Sequence, residues 1–328
     1  MKNFGYLTAD SAWDAVTALE QRAPGSAKIL AGGTDLLTLM KAGITQPREL
    51  ISIRRARSLR YLRFDDDGTL RLGALATLAN LEHDPQVAER LSILRDAVRD
   101  AATPQLRTMA TVAGNLLQNV RCWYYRGEYQ CWLKGGENCF ARGGENKYHA
   151  IYDLSPCVAV HPSDLAPALV ALDAQVRIEG RNARVVPVVE FLAPPTPERR
   201  SDHTLAPGEV ISEITIPPQP AGSHGVYLKT MDRHAWSFAL ASAAAQATIT
   251  DGRFSRVRLV LGGVANVPWR ARDAEAALTG AEATPEAIAH AVESMGAGAT
   301  PLAHNAYKVP LARELARRAL VAAARLSA

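Results

Sequence analysis

All four cysteines of this 328-residue chain, Cys122, Cys131, Cys139 and Cys157, fall in one short window, with none elsewhere. Thiols gathered in this way ask for one shared chemical purpose, and four unrelated buried cysteines would not cluster so. Three chemistries compete. Disulfides stabilise small exported domains, whereas this chain is long enough to bury a core of its own. Structural zinc favours paired C-x(2–4)-C knuckles, and the gaps here are eight, seven and seventeen residues. An iron–sulfur cluster needs soft thiolates and tolerates loop-borne cysteines. Spacing alone leaves zinc and iron–sulfur close, so the flanking residues must decide.

The first flank is a strand, a double-glycine turn and a helix start. Lys28-Ile29-Leu30-Ala31 is a short apolar run, followed by Gly32-Gly33-Thr34-Asp35 and then Leu36-Leu37-Thr38-Leu39-Met40-Lys41. Glycines let backbone N–H groups approach an anion, and a helix start adds unpaired donors. A β-branched residue at Gly33 is expected to crowd such a phosphate. The turn fits neither a Walker A loop nor G-x-G-x-x-G, and an ordinary strand-to-helix turn is the competing reading. The second flank, Thr111-Val112-Ala113-Gly114-Asn115-Leu116-Leu117, is another small-residue turn. Two such turns suit a long cofactor with a pyrophosphate at its middle.

The rest of the chain reads as α+β. A helix is expected over 10–22, capped by Asp10 or Ser11, with Trp13, Val16 and Leu19 on its apolar face. Short strands and turns fill 48–88, where 49–53 and 70–73 flank a turn at Asp65-Asp66-Asp67-Gly68. One helix covers 86–102, burying Val87, Leu91, Leu94 and Val98. A helix over 164–173 precedes strands at 175–178, 184–187 and 209–216. The proline-rich stretch Pro217-Pro218-Gln219-Pro220 marks a domain boundary. Beyond it, strands at 224–232, 241–250 and 253–264 lead to helices at 271–278, 284–295 and 309–326. A net charge of +4 without a basic run argues against nucleic acid. No uncharged apolar run is long enough to span a membrane. The start shows neither a signal-peptide core nor a twin arginine. A soluble cytoplasmic protein is expected, or a periplasmic one if exported with a partner that carries the signal.

Ala31-Gly32-Gly33-Thr34-Asp35-Leu36-Leu37, Thr111-Val112-Ala113-Gly114-Asn115-Leu116, and Gly262-Gly263-Val264-Ala265 leading to Pro268-Trp269-Arg270 resemble one family in the right order. It is the FAD-binding medium subunit of the molybdenum hydroxylases, such as xanthine dehydrogenase and carbon monoxide dehydrogenase. The cysteine segment, closing on His161-Pro162-Ser163-Asp164, is similar to the [4Fe–4S] loop of the flavin subunits of bacterial three-subunit aldehyde oxidoreductases and 4-hydroxybenzoyl-CoA reductase. The resemblance favours iron–sulfur over zinc.

That resemblance implies a PCMH-type FAD-binding domain of two α+β subdomains over 1–218, with an inserted iron–sulfur loop at 118–160. A CO dehydrogenase flavoprotein C-terminal-like α+β domain follows over 222–328. It implies FAD held by Lys28, Ile29, Leu30, Ala31, Gly32, Gly33, Thr34 and Asp35 at the pyrophosphate. Thr111, Gly114, Asn115 and Asp164 would hold the phosphates and ribityl chain, and Ile211 and Lys229 would lie at the flavin ring. For Lys229 a solvated strand lysine is the competing reading, and His161, open to reading as a catalytic base or cluster ligand, is taken as a turn residue before Pro162. Cys122, Cys131, Cys139 and Cys157 would ligate one [4Fe–4S] cluster inside a shell of Trp123, Tyr124, Tyr125, Trp132 and Phe140. No residue is expected to make bonds on an organic substrate, because the cofactors carry the chemistry. The implied partners are a large molybdenum-cofactor subunit, a small [2Fe–2S] subunit and a soluble electron acceptor. The alternative is a stand-alone flavoprotein with a structural zinc loop.

Overall fold

The computed structural model describes residues 1–233 and 236–327. Its first unit is a three-stranded parallel sheet, Gly5–Thr8, Glu49–Ser52 and Ala27–Leu30, with Glu49–Ser52 central. Parallel neighbours need crossovers, and the helices Ala12–Glu20 and Leu36–Lys41 supply them. Ser11 caps the first helix, its Oγ accepting from the Asp14 N–H at 3.0 Å. The buried stripe of that helix is Ala15, Val16 and Ala18. Trp13 lies roughly 155° round from it and is 62% exposed, so it is not on the apolar face where it was expected.

The second unit is a five-stranded antiparallel sheet in the order Leu62–Phe64, Leu70–Gly73, Val210–Ile216, Gln175–Glu179, Arg184–Pro187. The acidic turn joins Leu62–Phe64 to Leu70–Gly73, not Glu49–Ser52 to Leu70–Gly73 as expected. Leu50, Ile51 and Ser52 are all buried, which suits the centre of the parallel sheet better than a hairpin arm. A capping box at Thr77 and Asn80 starts a helix, Leu78–His83, inside the stretch expected to be strands and turns. The expected single helix over 86–102 is two, Pro85–Arg90 and Ser92–Arg99, because Leu91 leaves helical geometry at φ −138° and ψ 52°. Ser92 Oγ there donates to the Gly225 carbonyl at 2.8 Å, tying the new helix to the third unit. Val87, Leu91, Leu94 and Val98 are nevertheless all buried, in one core with Leu72, Val176 and Ile214.

The third unit is a four-stranded antiparallel sheet, Trp269–Arg270, Arg253–Gly262, Ala241–Thr250, His224–Thr230. Helices Arg272–Leu278, Pro285–Glu293 and Lys308–Ala323 share a core with one face of it. Ala243, Ala245 and Ala247 belong to that core with Ala312, Ala316 and Ala319, small residues that let helix and sheet approach closely. Alternate residues pack the other way: Ala244 and Val260 share a core with Leu165–Ala171 of the second unit. Between the helices Val112–Leu116 and Leu165–Ala171 runs the cysteine segment, with only two short helical turns, Trp123–Arg126 and Trp132–Lys134. Among the described residues no helix is long and apolar enough to cross a membrane.

Candidate cofactor cleft and cysteine pocket

A cleft of about 1760 Å³ opens where the three units meet, larger than the ~300–1,000 Å³ of an ordinary small-ligand pocket. Of the fourteen predicted cofactor residues, twelve line it; Leu30 and Lys229 do not. Leu30 turns inward to a small core with Met40 and Leu50, because strand residues alternate in direction.

The two glycine turns, distant in sequence, touch. A Cβ on Gly32 would sit 1.9 Å from the Met109 carbonyl oxygen, so only a bare Cα lets residues 109–110 close on the first turn. Gly33 has φ +78°, a left-handed backbone that favours glycine. What a Cβ there would meet is Leu37 at 3.0 Å and Leu30 at 3.1 Å. A side chain here therefore also meets backbone strain and two leucine side chains. Thr111 caps Val112–Leu116, its Oγ1 accepting from the Gly114 N–H at 3.2 Å, which leaves its own hydroxyl hydrogen free to donate. The helices after the turns have six and five residues, too short for much macrodipole. The N–H groups of Gly33, Thr34 and Asp35 have no acceptor among the described residues, and these are the donors a pyrophosphate would use.

Asp35 has another task. Its carboxylate accepts from the Asn119 N–H at 2.8 Å, from Asn119 Nδ2 at 3.1 Å and from Arg126 at 2.8 Å, and pairs with Arg121 at 2.8 Å. Burial works against its charge, but Arg121, Asn119 and Arg126 outweigh burial and hold the carboxyl below its ordinary value. Asp35 thus fastens the first glycine turn to the root of the cysteine segment. Arg121 also stacks on Phe238, 4.9 Å from the ring centre.

Asp164 and Lys229 form one unit. Lys229 Nζ, wholly buried, donates to Asp164 at 2.8 Å and to the Asp100 carbonyl at 2.9 Å, and Tyr227 donates to Asp164 at 2.6 Å. Burial pushes the Asp164 pKa up, while Lys229 and Tyr227 oppose it. Asp164 faces the cleft and Lys229 braces it from behind, so the solvated-lysine reading fails. His161, ahead of Pro162, is buried as well. Its Nε2 lies 3.9 Å from Asp202 Oδ2, and neither atom has a hydrogen-bond partner among the described residues. Burial raises the Asp202 pKa to about 7. Asp202, in a polar stretch with no motif, escaped the sequence reading. Both residues line the cleft, each with an unsatisfied polar atom there.

The four cysteines, all free thiols, line one small pocket together with Tyr124, Tyr125, Trp132 and Phe140. Trp123, also expected there, is instead 40% exposed and packs edge-on against Tyr148. The Cys157 thiol hydrogen-bonds to Cys139, holding Cys139 down to about 6 and, with burial, Cys157 well up. Burial lifts Cys122 to about 11. Among the described residues no three His, Cys, Asp or Glu side chains converge closely enough to hold one metal ion. Four thiols lining one space are the donor type and number that a four-iron cluster would take. Cys122 and Cys157 line the large cleft too, so pocket and cleft share a wall. Lys308, fully buried, holds the backbone of the cleft residues Tyr148, His149 and Gly263. Its Nζ donates to the carbonyls of Tyr148, His149 and Gly263 at 2.9, 3.1 and 2.8 Å. Burial lowers its pKa to about 7, yet three acceptors match the three hydrogens of an ammonium.

Residues 2–219 match the family described as the FAD binding domain in molybdopterin dehydrogenase. The chain belongs to that family. It is an FAD-binding medium subunit of the molybdenum hydroxylases, and residues 226–323 match the CO dehydrogenase flavoprotein C-terminal domain. The chain is 38% identical over 320 residues to the aldehyde oxidoreductase FAD-binding subunit PaoB of Escherichia coli, covering 95% of this chain and 96% of that one. It is 29% identical to the carbon monoxide dehydrogenase medium chain of Hydrogenophaga pseudoflava, covering 98% and 96%. A solved structure of carbon monoxide dehydrogenase from that organism superposes with a TM-score of 0.78 over 99% of each chain. Family membership makes FAD a cofactor of this chain.

Proposed function

We propose that this chain is the FAD- and [4Fe–4S]-binding electron-transfer subunit of a heterotrimeric, molybdenum-containing hydroxylase of the aldehyde oxidoreductase and xanthine dehydrogenase type. Its likeness to an aldehyde oxidoreductase flavin subunit favours that member of the family. It takes electrons from the [2Fe–2S] clusters of a small partner and delivers them through FAD to an external acceptor. Substrate is oxidised on the large partner. The observation that carries this reading is the wall shared by cysteine pocket and cleft, in which Cys122 and Cys157 face both.

When bound, the cluster would carry single electrons and FAD would join one- to two-electron chemistry. The chain itself positions and insulates. The N–H groups of Gly33, Thr34 and Asp35 would hold the pyrophosphate. Thr111, Gly114 and Asn115 would hold the phosphates and ribityl chain, and Asp164 would add an acceptor kept in place by Lys229 and Tyr227. Ile211 would offer an apolar surface to the ring. Cys122, Cys131, Cys139 and Cys157 would give one thiolate each, with Tyr124, Tyr125, Trp132 and Phe140 limiting water.

The test is iron, sulfide and zinc content with low-temperature EPR after reduction, on wild type and Cys131→Ser. About four irons per chain, as four thiolates require, reduced or lost in the variant, supports the reading. Stoichiometric zinc, or unchanged iron in the variant, would sink it in favour of a flavoprotein with a zinc loop. Co-purification with a large molybdenum subunit and a small iron–sulfur subunit tests the partners.

A further inference from the structure

We propose that His149 donates a hydrogen bond from Nε2–H to the Cys122 sulfur and thereby raises the reduction potential of the group held by the four thiolates. The inference rests on the reading that the cysteine pocket holds a [4Fe–4S] cluster. His149 Nε2 lies 3.1 Å from Cys122 Sγ. A coordinated thiolate offers only lone pairs, so the shared hydrogen belongs to the imidazole.

The ring is held for this contact. The His149 N–H donates to the Asn146 carbonyl at 3.0 Å. Its own carbonyl accepts from Asn305 Nδ2 and Lys308 Nζ, both at 3.1 Å. Asn305 and Lys308 are wholly buried, so the C-terminal unit fixes the backbone that carries the imidazole. Trp123 packs edge-on against the ring, with centroids 5.9 Å apart. Nδ1 is buried and has no partner among the described residues. A histidine kept only for packing would satisfy both nitrogens, or be replaced by an apolar side chain. Here the one engaged ring nitrogen is aimed at sulfur.

The consequence is electrostatic. An N–H pointed at a ligand sulfur stabilises the state with more negative charge, and hydrogen bonds to sulfur are among the levers that set cluster potentials. The imidazole keeps its proton throughout, and the bond strengthens as charge builds on the sulfur. Because Cys122, like Cys157, also faces the cleft, the bond acts on one of the two cysteines shared by pocket and cleft.

The experiment is a potentiometric titration of the purified complex, followed by low-temperature EPR for the cluster and by absorbance for FAD. Wild type, His149→Phe and His149→Gln are compared. His149→Phe should lower the cluster midpoint by about 59 mV, a tenfold change in the one-electron reduction constant. The FAD midpoint should stay put, and His149→Gln, with an N–H of its own, should recover part of the shift. Wild-type protein labelled with nitrogen-15 histidine should show a nitrogen coupling to the reduced cluster in pulsed EPR. An unmoved midpoint in an iron-replete His149→Phe protein overturns the proposal. So does the absence of that coupling in wild type, which decides the matter if the Phe variant loses its iron. Wild-type protein without iron fails the cluster reading itself and takes this inference with it.

Discussion

Replacing Gly32 by alanine should abolish tight FAD binding, and Gly33→Ala should only weaken it. The added Cβ at Gly32 would stand 1.9 Å from the Met109 oxygen and 2.8 Å from its carbonyl carbon. Ordinary contact is nearer 3.4 Å, so the two glycine turns must part by about 1.5 Å. No side-chain rotation can relieve a clash with backbone. Overpacking of this kind costs about 3 kcal/mol or more, and the displacement falls on the two segments that would share one cofactor. The FAD dissociation constant should rise at least a hundredfold, about 1.4 kcal/mol per factor of ten. At Gly33 the left-handed backbone costs alanine roughly 1 kcal/mol. The neighbouring Leu30 and Leu37 methyl groups can rotate away, so the loss there should be nearer tenfold. The assay is FAD binding to apoprotein by absorbance and flavin fluorescence, with circular dichroism and thermal unfolding to show that each variant is folded. A Gly32→Ala protein that binds FAD as tightly as wild type, or less badly than Gly33→Ala, would refute the reasoning.

Asp35→Ala strands Arg121 and Arg126. It should cost about 2 kcal/mol, below the full value for a buried pair because those side chains are 26% and 22% exposed; faster limited proteolysis near residue 120 is the readout. Lys229→Met leaves Asp164 buried without its cation and should destabilise the protein by about 3–5 kcal/mol, seen as a lower urea midpoint, and Asp164→Asn in the same background should recover part of it. Asp202 in the folded apoprotein keeps its proton up to about pH 7, whereas the unfolded chain releases it near pH 4. Its contribution is therefore full below pH 4 and lost as pH rises towards 7, by at most about 4 kcal/mol. Asp202→Asn should remove that decline, and parallel urea midpoints for the two proteins across pH 4–7 would contradict it.

Much of this architecture is local and so legible from sequence. Ala27–Leu30, its double glycine and Leu36–Lys41 announce themselves by apolar run, turn residues and helical spacing, as do Ala241–Thr250 and Arg253–Gly262. What escaped is non-local. Gly5–Thr8 is exposed along its whole length and is a strand because Glu49–Ser52 pairs with it. The choice between Leu62–Phe64 and Glu49–Ser52 as partner of Leu70–Gly73 rests on burial, not on the turn. The cysteine clustering in sequence pointed to one pocket, but Asp35 reads as a turn aspartate and gives no hint of two arginines from beyond the second glycine turn. Asp202 and His161 are brought together by packing of segments with no shared motif. The partnership of Lys229 with Asp164 likewise depends on strand His224–Thr230 passing behind the cleft.

Lys308 and Asn305 lie 159 and 156 positions downstream of the His149 carbonyl they grip. At about 5–20 residues per second, a ribosome needs roughly 8 to 30 s to reach them after His149. During that interval the cysteine segment has been made but its far anchor has not. The thiols therefore spend their first moments on an open tether, where oxidants and stray metal ions can reach them. Order arrives only with the last helix, so a chain cut before residue 305 should keep both glycine turns yet never close its cysteine pocket.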